Sequence, residues 1–108
     1  MKFASALLSC FLLAAFTASA NESPAPAKPD LAKGAATAAV CSACHSSDGS
    51  RGSPAQPILQ GQHPEYLVKQ LTEFKKGVRA NAIMSGMSAP LSDSDMKNVA
   101  AFYASKKA

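Results

Sequence analysis

Apolar positions along the chain fall into a few short periodic stretches separated by proline- and glycine-rich breaks. The stretch after Asp30 is alanine-rich, with Leu31, Ala35, Ala38 and Val40 leading directly to Cys41. Asp30 is a good N-cap, which predicts a first helix over about Leu31–Val40. Gly34 interrupts it at a cost of about 0.5–1 kcal/mol relative to alanine, a cost that close approach of another helix would justify. Tyr66, Leu67, Gln70, Leu71 and Phe74 repeat at helical spacing, with Pro64 placed for the first helical position and Gly77 for the end. A last helix opens at Ser92. Asp95 completes a capping box, Leu91 and Met96 form a hydrophobic staple, and Met96, Val99, Ala100 and Tyr103 form a buried stripe with Phe102 beside it.

The intervening segments carry no period. Ser46–Gln62 reads as a loop, and a loop of that length in a small domain is expected to wrap something. Arg79–Pro90, which holds Met84 and Met87, reads as irregular. No alternating strand signal and no repeat is present, so the expected fold is all-α with about three main helices.

The N-terminus reads differently. Lys2, a mostly Ala, Leu and Phe run from Phe3 to Phe16, and Ala18-Ser19-Ala20 predict a signal peptide over residues 1–20, cleaved after Ala20. The run is shorter than the roughly 18 residues that span a bilayer, so no stable membrane insertion is expected after processing. Cys10 is then discarded with the leader; the competing reading, a lipoprotein cysteine, would leave a very short leader. Pro24, Pro26 and Pro29 predict an extended tether over residues 21–29. A single domain over residues 30–108 remains. A mature chain this small buries only about 60–65% of its unfolded surface and needs a staple to fold well.

Charge adds little. Without Lys2 the chain keeps ten basic against seven acidic residues, a net of +3. No dense basic run with interleaved aromatics is present, which argues against nucleic acid. Lys69, Lys75, Lys76, Lys97, Lys106 and Lys107 read as a solvated surface or as a docking patch for a partner protein.

The staple is supplied by Cys41-Ser42-Ala43-Cys44-His45. This C-x-x-C-H pentapeptide is the attachment pattern of haem c. Two thiols three residues apart share one face of a helical turn and can add across the two vinyl groups of one porphyrin. The adjacent imidazole then lies beneath the iron as proximal ligand. A structural zinc site needs four ligands, and beyond Cys41, Cys44 and His45 the mature chain offers only His63. A thioredoxin-type pair needs a βαβ context that is absent. One haem per chain is expected, held through Cys41 and Cys44. On its opposite face Met84, Met87, Met96 and His63 are candidates. Met96 belongs to the core stripe, and His63 is accounted for at a helix entrance. Gly86 would let the backbone turn over the porphyrin at Met84, with Met87 facing back toward Leu91 and Met96.

The motif, the following Asp48-Gly49 and a late methionine before a C-terminal helix resemble class I cytochrome c. The detail is similar to one haem unit of the two-haem bacterial periplasmic cytochromes of the c-four type. The stretches that carry this are Gly34 seven residues before Cys41, Pro57-Ile58-Leu59-Gln60-Gly61-Gln62, Tyr66–Leu71, Met84-Ser85-Gly86-Met87, and Leu91–Met96 leading to Ala101–Ala104. The resemblance implies that Met84 is the distal ligand and Met87 a non-ligating companion. It implies that the Pro57 carbonyl accepts the His45 Nδ1–H, that Gly34 lies at the crossing of first and last helices, and that Arg79 meets a haem propionate. It further implies an all-α cytochrome fold and one-electron transfer between redox partner proteins in the periplasm, with no substrate transformed; no acid–base pair or nucleophile stands out. The alternatives are a cytochrome subunit of a larger redox complex and a haem enzyme or sensor with an open distal site. The chain departs from the pattern at Ser46, where glycine commonly follows the histidine, and in having a single haem motif.

Overall fold

The computed structural model describes residues 25–46, 48 and 55–107. The leader reading, residues 21–24 of the tether, and residues 47 and 49–54 of the loop after Ser46 lie outside the described residues. Four helices are present: α1 (Leu31–His45), α2 (Pro64–Lys75), α3 (Ala82–Ser88) and α4 (Asp93–Ala104). No strand occurs among the described residues. Helix α4 packs on α1 and α2, and α3 packs on α2.

Local rules set the helix ends. Asp30 Oδ1 accepts from the Ala32 and Lys33 amides at 2.9 and 3.1 Å, two of the four donors that a helix start leaves unpaired. Pro64 occupies the first turn of α2. That helix closes with Gly77 at φ 72°, where the Gly77 amide donates to the Phe74 carbonyl and the Val78 amide to the Glu73 carbonyl. This is a Schellman closure, and the left-handed residue in it favours glycine. Ser92 and Asp95 form the reciprocal capping box at the start of α4.

Buried positions of α1 run Gly34, Ala38, His45, with Cys41 half-buried between them. This i, i+4, i+7, i+11 series is one helix face. It meets Val99, Ala100 and Tyr103 of α4, with Leu67 of α2 completing the core. At the crossing a Cβ on Gly34 would stand 2.2 Å from the Asn98 carbonyl oxygen and 2.9 Å from Phe102 Cβ. The glycine is therefore required by backbone contact, as its position predicts. Asn98 Oδ1 accepts from the Asp30 amide at 2.9 Å and ties the start of α1 to α4.

Two expectations are corrected. Helix α1 continues through Cys41 to His45 instead of ending near Val40. Residues 82–88, expected to be irregular, form α3, capped by Asn81 Oδ1 accepting from the Met84 amide at 2.9 Å. A fourth, short helix thus joins the three main ones. Among the described residues, no helix is long and apolar enough to cross a membrane.

Candidate haem site

The last turn of α1 presents Cys41, Cys44 and His45 together. Cys41 is half-buried and its Sγ lies 3.7 Å from the Thr37 carbonyl oxygen. Burial pushes its thiol pKa up. Cys44 is exposed. His45 is buried, and its Nδ1 lies 2.7 Å from the Pro57 carbonyl oxygen. A carbonyl only accepts, so the proton of a neutral ring sits on Nδ1 and the Nε2 lone pair is left for a metal.

These groups open on a cavity of about 450 Å³. Its floor includes Val99, Ala100 and Tyr103 of α4, and α2 contributes Tyr66, Leu67 and Gln70. Helix α3 contributes both Met84 and Met87. The two methionines are one turn apart and share a face, so Met87 does not face back toward Leu91 and Met96, as was expected. Gly86 is an ordinary residue of α3 without positive φ, and it creates no backbone turn. Met84 is half-buried whereas Met87 is 40% exposed. Met96 is core, 2% exposed, with the Thr72 hydroxyl 3.8 Å from its Sδ. His63 is exposed at the entrance of α2 and is not part of the wall.

Arg79 also lines the cavity. Its guanidinium stacks 4.6 Å over the Phe74 ring and donates to Gln70 Oε1. The hydroxyl of Tyr103, 2% exposed as a residue, finds no partner among the described residues. Burial, with a smaller push from Cys41, raises its pKa to about 12.

The donor set fits a porphyrin iron. A largely apolar cavity brings together two thiols, one imidazole whose Nε2 lone pair is left for a metal and two thioethers, without a carboxylate among the described residues of its wall. No group of three or more His, Cys, Asp or Glu side chains able to hold another metal occurs among the described residues. Cys41 and Cys44 carry one covalently bound haem c, beside which His45 stands.

Sequence reasoning missed Gln60 and Asn98 here, and singled out Ser46 only as a departure at a position where glycine is common. Gln60 is buried and donates from Nε2 to the Ser46 carbonyl at 2.9 Å. Ser46 adopts φ 57°, and Asn98 is buried at the crossing. Asn81 before an apolar pair is the signal that could have revealed α3.

The family model described as Cytochrome c matches residues 31–106. A cytochrome c4 of Pseudomonas aeruginosa is 46% identical over 83 residues, covering 77% of this chain and 41% of the relative. Cytochrome c-554(548) of Halomonas halodenitrificans is 36% identical over 81 residues, 72% of this chain and 98% of the relative. A crystal structure of reduced recombinant cytochrome c4 from Pseudomonas stutzeri superposes with a TM-score of 0.67 at 39% identity, covering 74% of this chain and 47% of that one. The chain thus spans about half the length of the c4 relatives and nearly the whole of c-554(548). With a matched span that begins at the first residue of α1 and ends just beyond α4, the chain belongs to the cytochrome c family.

Proposed function

We propose that the chain is a periplasmic one-electron carrier with a single His/Met-ligated haem. The observation that carries this is one cavity lined by Cys41, Cys44 and His45 on α1 and by Met84 on α3. When bound, the haem supplies an Fe(II)/Fe(III) couple. His45 Nε2 would hold the iron, with the Pro57 carbonyl holding the Nδ1 proton and fixing the ring. Met84 Sδ would be the second ligand to the iron, because it is the better covered of the two methionines and matches the family position. A thioether favours Fe(II) and leaves no vacant position for a substrate, which suits a carrier rather than an enzyme. Arg79, which lines the same cavity and donates to Gln70 Oε1, would meet a propionate on leaving Gln70.

The partners are a donor and an acceptor protein. The leader directs the chain across the inner membrane and is cleaved after Ala20. The test is purification from periplasm followed by three measurements. Haem should stay with the polypeptide on a denaturing gel, and the Cys41→Ala, Cys44→Ala variant should lose it. The ferric protein should show the near-infrared Met–Fe band. Intact mass should place the N-terminus at Asn21. Haem extractable from the wild type by acidified solvent would refute the attachment, and absence of the band would favour the open-site alternative.

A further inference from the structure

Ser46, directly after the haem histidine, is the one non-glycine residue with positive φ among the described residues. Its φ of 57° and ψ of 162° lie in a region used almost only by glycine, so a Cβ is strained there. Such a conformation persists only where neighbours over-determine it. Two backbone contacts contribute to this among the described residues. The Ser46 amide donates to the Ser42 carbonyl at 3.0 Å, and the Ser46 carbonyl accepts from Gln60 Nε2 at 2.9 Å.

Gln60 is 3% exposed and Ser46 8%, so the bond between them is shielded from water. The segment that delivers Gln60 also delivers Pro57, whose carbonyl meets His45 Nδ1. Gly61 of the same segment donates its amide to the Tyr103 carbonyl at 3.0 Å and so ties it to α4. One short segment, anchored on α4, thereby grips two consecutive residues, His45 by its ring and Ser46 by its backbone.

We propose that Gln60 is a positioning residue for the haem: it holds Ser46 in the strained backbone and so keeps the His45 ring on the Pro57 carbonyl. The inference rests on His45 being the proximal ligand. Without Gln60, Ser46 relaxes toward ordinary φ and turns the peptide after His45, which lengthens the Nδ1–H bond to Pro57. That bond raises the basicity of the imidazole. A more basic ligand favours Fe(III), so weakening the bond raises the reduction potential. Glycine at 46 carries no strain, and the grip of Gln60 then becomes dispensable.

The test compares the holoproteins of wild type, Gln60→Leu, Ser46→Gly and the double variant by voltammetry and by NMR exchange of the His45 Nδ1 proton. Gln60→Leu should raise the potential and speed that exchange. Ser46→Gly should leave both unchanged and raise the melting temperature. The double variant should return potential and exchange to wild-type values, which a merely space-filling Gln60 would not bring about. Equal potentials in all four proteins, or the same rise in both Gln60→Leu backgrounds, would overturn the proposal. If Gln60→Leu yields too little holoprotein, recovery of haem content in the double variant supports the proposal and failure to recover overturns it. A wild type whose haem shows no histidine ligation by NMR would defeat the ligand reading itself, and the proposal with it.

Discussion

Gly34→Ala tests whether the crossing of α1 and α4 sets the haem site. The added Cβ would stand 2.2 Å from the Asn98 carbonyl oxygen, 2.7 Å from its carbon and 2.9 Å from Phe102 Cβ. Two of these atoms are backbone and cannot swing aside. Ordinary carbon contacts begin near 3.5 Å, so the helices must part by roughly 1 Å. Overpacking of this kind costs about 3 kcal/mol. The bond from the Asp30 amide to Asn98 Oδ1 spans the same crossing, and losing it costs about 1 kcal/mol more. Better helix propensity of alanine returns about 1 kcal/mol. The net loss is about 3 kcal/mol, which for a domain of this size is a fall of about 12–24 °C in melting temperature. Far-UV circular dichroism of the holoprotein measures it. Two other glycines serve as controls. Gly86 has nothing within 4 Å of a built Cβ, so Gly86→Ala should stabilise by about 0.5 kcal/mol. Gly77 also has open space but sits at φ 72°, so Gly77→Ala should cost about 1 kcal/mol through backbone strain alone. A Gly34→Ala protein that melts within about 2 °C of wild type would refute the packing argument.

Further outcomes follow from the site. Met84→Ala should abolish the Met–Fe band, lower the potential and admit carbon monoxide to the ferrous form. Met87→Ala should keep the band and cost about 1 kcal/mol or less, because that side chain is 40% exposed; the reverse pattern would transfer the ligand role to Met87. The Cys41→Ala, Cys44→Ala apoprotein should show no cooperative thermal transition. A largely apolar cavity of about 450 Å³ left without the haem loses the packing contacts of its lining, in a domain whose whole stability is only about 5–15 kcal/mol, and a melt near the holoprotein's midpoint would contradict this. The Tyr103 pKa, pushed by burial up to about 12 from the ordinary tyrosine value of about 10, makes stability pH-dependent. The native state keeps a proton that the unfolded chain releases above about pH 10, so stability is full below that pH and declines as pH rises toward 12. The total is about 2–3 kcal/mol. Denaturant melts across this window should show the slope in wild type and lose it in Tyr103→Phe.

What the sequence made legible was whatever a rule of a few residues decides. Asp30, Pro64, Gly77, Ser92 and Asp95 each act on amides or carbonyls within five residues, and each end lies where such chemistry puts it. Cys41, Cys44 and His45 are adjacent, so the proximal half of the site is written in one pentapeptide. Gly34 was readable because a glycine inside an alanine-rich helix carries a cost that a helix contact would justify, and the family resemblance put it at the crossing of the first and last helices. The residues that escaped act across the fold. Asn98 is an ordinary helix residue until Asp30 arrives 68 positions away. Gln60 looked like a loop residue, and its burial has no local signature; Ser46 stood out only as a departure from glycine, from which its positive φ was not drawn.

The distal side is harder to read for a related physical reason. Helix α3 has seven residues, among them Gly86 and two serines. Isolated helices need about 12–15 residues even in good sequences. Its propensity is therefore too weak to be visible, and it exists because Asn81 caps it and α2 packs against it. The proximal ligand, by contrast, stands on a fifteen-residue helix wedged against α4 and tied at both ends, by Asn98 and by the Pro57–Gly61 segment. Elements with few buried contacts open at the least free energy. The asymmetry places rigidity where covalent attachment and ring orientation require it, and leaves the methionine on the element that costs least to displace.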